Sequence, residues 1–307
     1  MQNNNRAKRR RIAPGIRAIA SSLALFAAIG TAPAPAAGDE IGQAIHDVPI
    51  FDAHMHYKID AWDRYPVSTV IELMDKTGVA MALVSSTPDE GTIKLWEYAP
   101  RRIVPEMRPY FGEAGSANWT KSEGMLAYIR QRLDKYPHEG IGEFHIHVLD
   151  IRDRPFLRAV AKIAKDRNIL IHIHSTAAPV RLFYEFEPDL TIIWAHAGMT
   201  EPPEVVGAMF DEYPTLYADT SYRESDILTG EGTIAPAWRA VILKHADRLM
   251  VGTDTWVNSQ WEKYEELVAF NRLWLARLPR DVAERIAYKN AEKLFKRKIS
   301  RDLLGAK

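Results

Sequence analysis

"FDAHMHY", residues 51–57, places two histidines two residues apart, just after an aspartate, at what reads as the end of a β-strand. Successive strand side chains point to opposite faces, so Asp52, His54 and His56 are expected on one face, with neighbours about 7 Å apart along the strand. Two imidazoles on one face can share a metal ion. An isolated His-x-His is also met as a pair of structural histidines, so the rest of the chain decides.

Outward from this stretch the sequence settles into a strand and helix rhythm. "VPIFDAHMHY" reads as a strand, "VSTVIELMDKTG" as a helix closed by glycine, and "VAMALVSST" as a second strand. The pattern continues through "IVPEMRPYF", "GIGEFHIH", "ILIHIHS", "LTIIWAHAGM", "TLYADTSYR" and "RLMVGTDTW". Helical segments such as "EGMLAYIRQRLDKYP", "PFLRAVAKIAKDRN", "PPEVVGAMFDEYP" and "PAWRAVILKHAD" fall between strands. Eight strands alternating with helices predict a parallel sheet, because each parallel connection needs a crossover that is usually helical. Eight units match a closed (β/α)8 TIM-type barrel followed by C-terminal helices. An open doubly wound sheet is the rival, but the first strand–helix turn lacks the G-x-G-x-x-G phosphate fingerprint.

The predicted strands turn polar at one end. His54 and His56 end the first, Glu143 and His145 the fourth, His172 and His174 the fifth, His196 the sixth and Asp254 the eighth. In a barrel these ends converge on the face that carries catalysis. Imidazoles and carboxylates suit zinc, manganese, iron or nickel, and a cation there activates water and polarises an electrophilic oxygen. His46, His138 and His245 read as ordinary histidines of a loop or helix surface. His172, one step deeper than His174, reads as a packing or supporting residue, and Glu143 as either a bridge between metals or a carboxylate that orients a histidine. A carboxylate ending an apolar strand, as Asp254 does, is costly to bury unless paired or bound to a cation. His147, Tyr222 and Arg223 lie near the expected mouth as substrate-binding candidates, and Trp256 as an apolar wall.

The 307 residues hold 40 basic and 40 acidic side chains and no cysteine. Cysteine nucleophiles, thiolate metal sites and disulfides are thereby excluded, and no G-x-S-x-G elbow supports a serine hydrolase. Six basic residues, Arg6, Lys8, Arg9, Arg10, Arg11 and Arg17, precede the first acidic one, Asp39. The apolar run "IASSLALFAAIG" and the small-residue exit Ala34-Pro35-Ala36 follow. Residues 1–37 are therefore expected to be a secretory signal peptide, and residues 38–307 one barrel domain that is exported, in the periplasm. The apolar run is shorter than the ~20 residues of a bilayer span, and paired arginines leave the twin-arginine route open. Without the leader, 34 basic residues stand against 40 acidic ones. That balance gives no reason to expect a nucleic-acid partner; the expected partner is a small-molecule substrate.

"FDAHMHY", "GIGEFH", "ILIHIHS", "TIIWAHAGM", "LMVGTDTW" and the closing "IAYKNAEKLF", in this order, resemble the amidohydrolase superfamily, in its amidohydrolase-related (family 2) branch of metal-dependent hydrolases and decarboxylases. The resemblance covers almost all of the chain after the leader. It implies a (β/α)8 barrel with metal ligands His54, His56, His174 and Asp254. It also implies that His196 either handles protons at a one-metal site or joins His174 on a second ion, and that Glu143 takes the place of a bridging carboxylate. The expected cofactor is one or two divalent transition-metal ions, zinc first. The expected activity is hydrolysis of an ester, lactone, amide or related bond by metal-activated water, with Asp254 accepting a proton and His196 stabilising the reacting oxygen. Decarboxylation of a small carboxylated substrate is the alternative, and a non-catalytic metal- or solute-binding barrel the third reading.

Overall fold

The computed structural model describes residues 45–304. The expected signal peptide lies outside them. Eight strands run in parallel in the order of the sequence: β1 (Ile50–Met55), β2 (Val79–Ser85), β3 (Ile103–Met107), β4 (Gly140–Ile146), β5 (Leu170–Ser175), β6 (Ile192–Trp194), β7 (Leu216–Asp219) and β8 (Leu249–Met250). Each pairs with the next, and backbone bonds past the end of β8, such as Ala53 N–H to the Val251 carbonyl at 2.9 Å, draw β1 and β8 together. The result is the expected (β/α)8 barrel, nearly closed.

Helices α1 (Val67–Thr77), α2 (Glu90–Tyr98), α3 (Met125–Lys135), α4 (Arg154–Arg167), α5 (Ala177–Phe186), α6 (Pro203–Glu212), the single turn α7 (Glu224–Ile227) and α8 (Pro236–Lys244) connect the strands. Helix α1 ends as its sequence announces, on Gly78 at φ +72°, a left-handed conformation that costs glycine little. Sequence reading left out α5. Its Pro179 lies in the first helical turn, where a missing N–H removes no intrahelical bond.

Two apolar layers result. Phe51, Met81, Leu83, Val104, Leu170, Ile193 and Met250 fill the barrel, and Phe295 stacks on Phe51 with ring centroids 5.4 Å apart. The other strand positions, including Ile50, Val79, Ala82 and Val84, pack with the surrounding helices. The closing segment is also tied by Asn290, whose amide donates to the Ala246 and Leu249 carbonyls, each at 2.7 Å. Among the described residues no helix is long and apolar enough to cross a membrane.

Strict alternation fails at one place that matters. Phe51 and Ala53 belong to the barrel-filling layer, and the register against β2 shifts between Asp52 and Met55. Beyond that irregularity His54 and His56 turn their rings toward each other, whereas the Asp52 carboxylate accepts from Thr253 N–H at 3.0 Å and Thr253 Oγ1 at 2.6 Å. Asp52 therefore does not share the histidines' cluster. A bulge changes the parity that a period of two assumes.

Candidate metal centre

The strand ends bring His54, His56, Glu143, His174, His196 and Asp254 to one place. His54 Nε2 and His56 Nε2 are 3.1 Å apart. Asp254 Oδ1 lies 3.1 Å from His56 Nε2 and 3.6 Å from His54 Nε2. Glu143 Oε2 is 3.3 Å from His56 Nε2, while its Oε1 is 2.7 Å from His174 Nδ1 and 3.7 Å from His196 Nε2. His56 and His196 are wholly buried, and His54, Glu143 and Asp254 nearly so.

Backbone geometry sets these positions. Glu143 follows Gly142, where a Cβ would stand 2.3 Å from the His172 carbonyl oxygen, so only glycine lets β4 approach β5 this closely. A Cβ on Gly252 would lie 2.7 Å from that of His54. His196 lies beyond β6 in a tight turn at φ +55°, and Asp254 lies four residues beyond β8 at φ +47°. Both predicted strands end earlier than their sequences suggest, and turns rather than strands aim the two side chains.

The tautomers follow from the partners. His56 Nδ1 is 2.6 Å from the Ser85 carbonyl, closer than the Arg108 Nη1 at 3.2 Å, and His196 Nδ1 is 3.0 Å from the Ser221 carbonyl, so the proton of each neutral ring is assigned to Nδ1, which donates it. His54 Nδ1 faces Asp219 Oδ2 at 3.2 Å in the same way. In their neutral forms the three rings therefore turn Nε2 lone pairs into the cluster, the orientation a metal ligand needs.

Charge points in the same direction. Burial works against a charged His54, but the carboxylates of Asp219, Asp254 and Glu143 outweigh it and draw its pKa well above the ordinary histidine value. Burial would raise the Asp254 pKa; the charge of His54, with the hydrogen bond and charge of His56, instead holds it at about 2. Glu143 is likewise held well below the usual carboxylate range, against its burial, by His54, His145, His174 and His196. His196 Nε2 is a buried nitrogen without a hydrogen-bond partner. Converging lone pairs, an orphaned nitrogen and concentrated negative charge fit a divalent cation.

Sequence reasoning missed the layer beneath. Asp219, fully buried, accepts from His54 Nδ1, from His196 N–H at 3.2 Å and from Ser221 N–H at 3.0 Å, and lies 3.4 Å from His172 Nε2. His172 Nδ1 continues to Glu106 Oε2 at 3.0 Å, so the supporting position expected for His172 matches its contacts. Arg108 donates to Glu143 Oε2 at 2.9 Å and to its carbonyl at 3.0 Å. Asp219 carried a readable signal, since "TLYAD" is an apolar strand ending in a carboxylate, as at Asp254.

A cavity of about 700 Å³ opens above the cluster and is lined by Glu143, His174 and Asp254 together with Tyr222, His147 and Trp256. Arg223 does not line it, contrary to expectation. Its nearly buried guanidinium donates to the carbonyls of Met199 and Glu201, pairs with Asp226 at 2.9 Å and lies over the Trp238 ring. His138 and His245, expected at the surface, are instead buried, His138 against Asp89 at 3.1 Å.

A barrel with a histidine and carboxylate cluster at its strand ends is the frame of a metal-dependent hydrolase. The chain belongs to the amidohydrolase family, which it matches over residues 51–297, and is an enzyme of the amidohydrolase superfamily. Its fold is similar to that of a lactonase from Listeria monocytogenes (TM-score 0.58, 12% identity, covering 83% of this chain and 96% of that one). It is also similar to the phosphotriesterase homology protein from Escherichia coli (TM-score 0.57, 14% identity, 81% and 99% covered). A third similar fold is that of a probable 2-pyrone-4,6-dicarboxylic acid hydrolase from Acinetobacter baumannii (TM-score 0.53, 15% identity, 81% and 99% covered). No curated protein sequence matches the chain.

Proposed function

We propose that the protein hydrolyses an ester, lactone, amide or related carbonyl-centred bond, with Asp254 as the proton acceptor. The observation that carries this reading is that Asp254 belongs to cluster and cavity at once: Oδ1 is 3.1 Å from His56 Nε2, Oδ2 is 3.8 Å from His196 Nε2, and the residue lines the cavity.

The cofactor in this proposal is one or two divalent transition-metal ions, zinc first, since nitrogen and carboxylate donors suit it. When bound, such an ion supplies Lewis acidity, polarising a substrate oxygen and acidifying water. His54, His56 and Asp254 would hold one ion, and Glu143, His174 and His196 a second beside it. In its neutral form, with Nδ1 donating to the Ser221 carbonyl, His196 turns a lone pair at Nε2 into the cluster, which suits a ligand; in its protonated form, toward which, against burial, Glu143, Asp219 and Asp254 draw it, the same Nε2 donates to the reacting oxygen. Asp254 takes the proton that the attacking water gives up and returns it to the departing alcohol or amine as the carbonyl carbon's bond to it breaks. Tyr222 and Trp256 line the substrate's approach.

Metal analysis of purified protein, paired with a screen of esters, lactones, amides and aromatic carboxylates, tests the reading. Turnover of an ester, lactone or amide that disappears on chelation supports it. Carbon dioxide release without hydrolysis would establish the decarboxylase alternative instead. Export to the periplasm belongs to the proposal too, supported by the basic and apolar leader of residues 1–37.

A further inference from the structure

Lys58 lies two residues beyond His56, on the cavity wall. Its neighbours in sequence are pinned. Tyr57 N–H donates to Ser86 Oγ at 3.0 Å, its hydroxyl to the Tyr65 carbonyl at 2.7 Å, and Ile59 N–H to the Thr87 carbonyl at 3.3 Å. The backbone on both sides therefore fixes where the lysine starts, which cuts the ordering cost of a contact made by its ammonium.

The other charges of the cavity are already committed. Glu143 and Asp254 face the histidine cluster, and Arg108 is tied to Glu143 by its carboxylate and carbonyl. Lys58 is partly buried, and among the described residues no carboxylate lies within ion-pair distance of its ammonium. An unpaired cation on the wall of a site that takes small molecules calls for an anion on the molecule it takes. A single ammonium, in a cavity whose one guanidinium among the lining residues, Arg108, is already held by Glu143, fits a singly charged carboxylate.

We infer that Lys58 binds a carboxylate of the substrate, set apart from the bond that is broken. The assignment deepens the hydrolase reading and rests on that reading of the cavity as the substrate site. Substrates would then be esters, lactones or amides carrying a second, free acid group, and Lys58 would select them over neutral analogues of the same size.

Calorimetric titration of the metal-loaded protein tests this without turnover. The probes are the dicarboxylates from succinate to pimelate, each against the monocarboxylate of equal chain length. One carboxylate reports the metal centre and the second reports Lys58. At least one dicarboxylate should bind ~10-fold more tightly than its match, the scale of one charge-assisted contact. Lys58→Met should abolish that gain and leave monocarboxylate binding unchanged, and Lys58→Arg should keep much of it. Wild-type protein without the gain, a gain that survives in Lys58→Met, or loss of monocarboxylate binding in that variant overturns the assignment. Wild-type protein that shows the gain yet hydrolyses none of the ester, lactone and amide panel would instead sink the hydrolase reading and leave Lys58 as the anion site.

Discussion

His54 Nε2 and His56 Nε2 face each other at 3.1 Å while each ring's Nδ1 is engaged by an oxygen, Asp219 Oδ2 for His54 and the Ser85 carbonyl for His56. In the neutral forms, with a proton on each Nδ1, two lone pairs would meet with no donor between them; against burial, the carboxylates around His54 draw a proton there, and a metal cation can take that proton's place. Purified protein is therefore expected to carry a transition metal, and His54→Ala or His56→Ala to lower its occupancy at least ~10-fold. Chelation should lower Tm, because an ion that binds the folded chain alone stabilises it. Elemental analysis and calorimetry check both; full activity in protein stripped of all metal would refute the central inference.

Asp219 accepts from His54 Nδ1, His196 N–H and Ser221 N–H, and all three are donors. Asp219→Asn removes the charge and turns an amide NH2 toward at least one of them. Metal affinity should fall ~10- to 100-fold, the range for losing a group that orients a ligand. Competition against a chelating dye measures it. An unchanged Kd would reduce Asp219 to a structural acceptor.

What the sequence made legible follows from which physical signals are local. The alternation of apolar strands and amphipathic helices is local, and it yields the barrel. Histidines and carboxylates ending apolar runs are local too, and they yield the cluster. Asp219 was legible by the rule that picked out Asp254. Glu106 and Arg108 were not, because their partners His172 and Glu143 lie 66 and 35 residues away. The bulge that separates Asp52 from the histidines has no signature in "FDAHMHY", since register depends on the neighbouring strand. Arg223 misled because its nearness to the mouth in sequence says nothing of the Met199 and Glu201 carbonyls that claim it.

That engagement sets apart two roles for Arg223. Arg223→Met keeps much of the side chain's bulk but abandons two partly buried carbonyls and the Asp226 partner. It should destabilise the fold by about 1 kcal/mol, the net scale of a hydrogen bond whose acceptors water can still reach in part. KM on any verified substrate should stay within about threefold, because the residue does not line the cavity. Denaturant unfolding beside steady-state kinetics separates the outcomes; a large KM effect at unchanged stability would restore the substrate-binding role.

Processing of the leader is expected after Ala36 or Ala37, where small residues follow the apolar run. Intact mass and N-terminal sequencing of periplasmic material read the site directly. Full-length chain embedded in the membrane would contradict the exported reading.

Asp254→Asn is the most discriminating change, because the backbone there adopts φ +47°, a left-handed conformation that asparagine tolerates better than most residues. The substitution preserves size and a carbonyl oxygen while removing the negative charge and the basic carboxylate. Folding should therefore be retained. His54, His56, Glu143, His174 and His196 still converge, so part of the metal should be retained as well. Turnover should nevertheless fall at least ~100-fold, the low end for losing general acid–base assistance. Circular dichroism and metal analysis must accompany the kinetics, since metal loss alone would imitate loss of the base; restoring occupancy with excess zinc separates the two. A variant at full metal occupancy that turns over a verified substrate at near wild-type rate would exclude Asp254 as the proton acceptor, and the proposed hydrolytic mechanism with it.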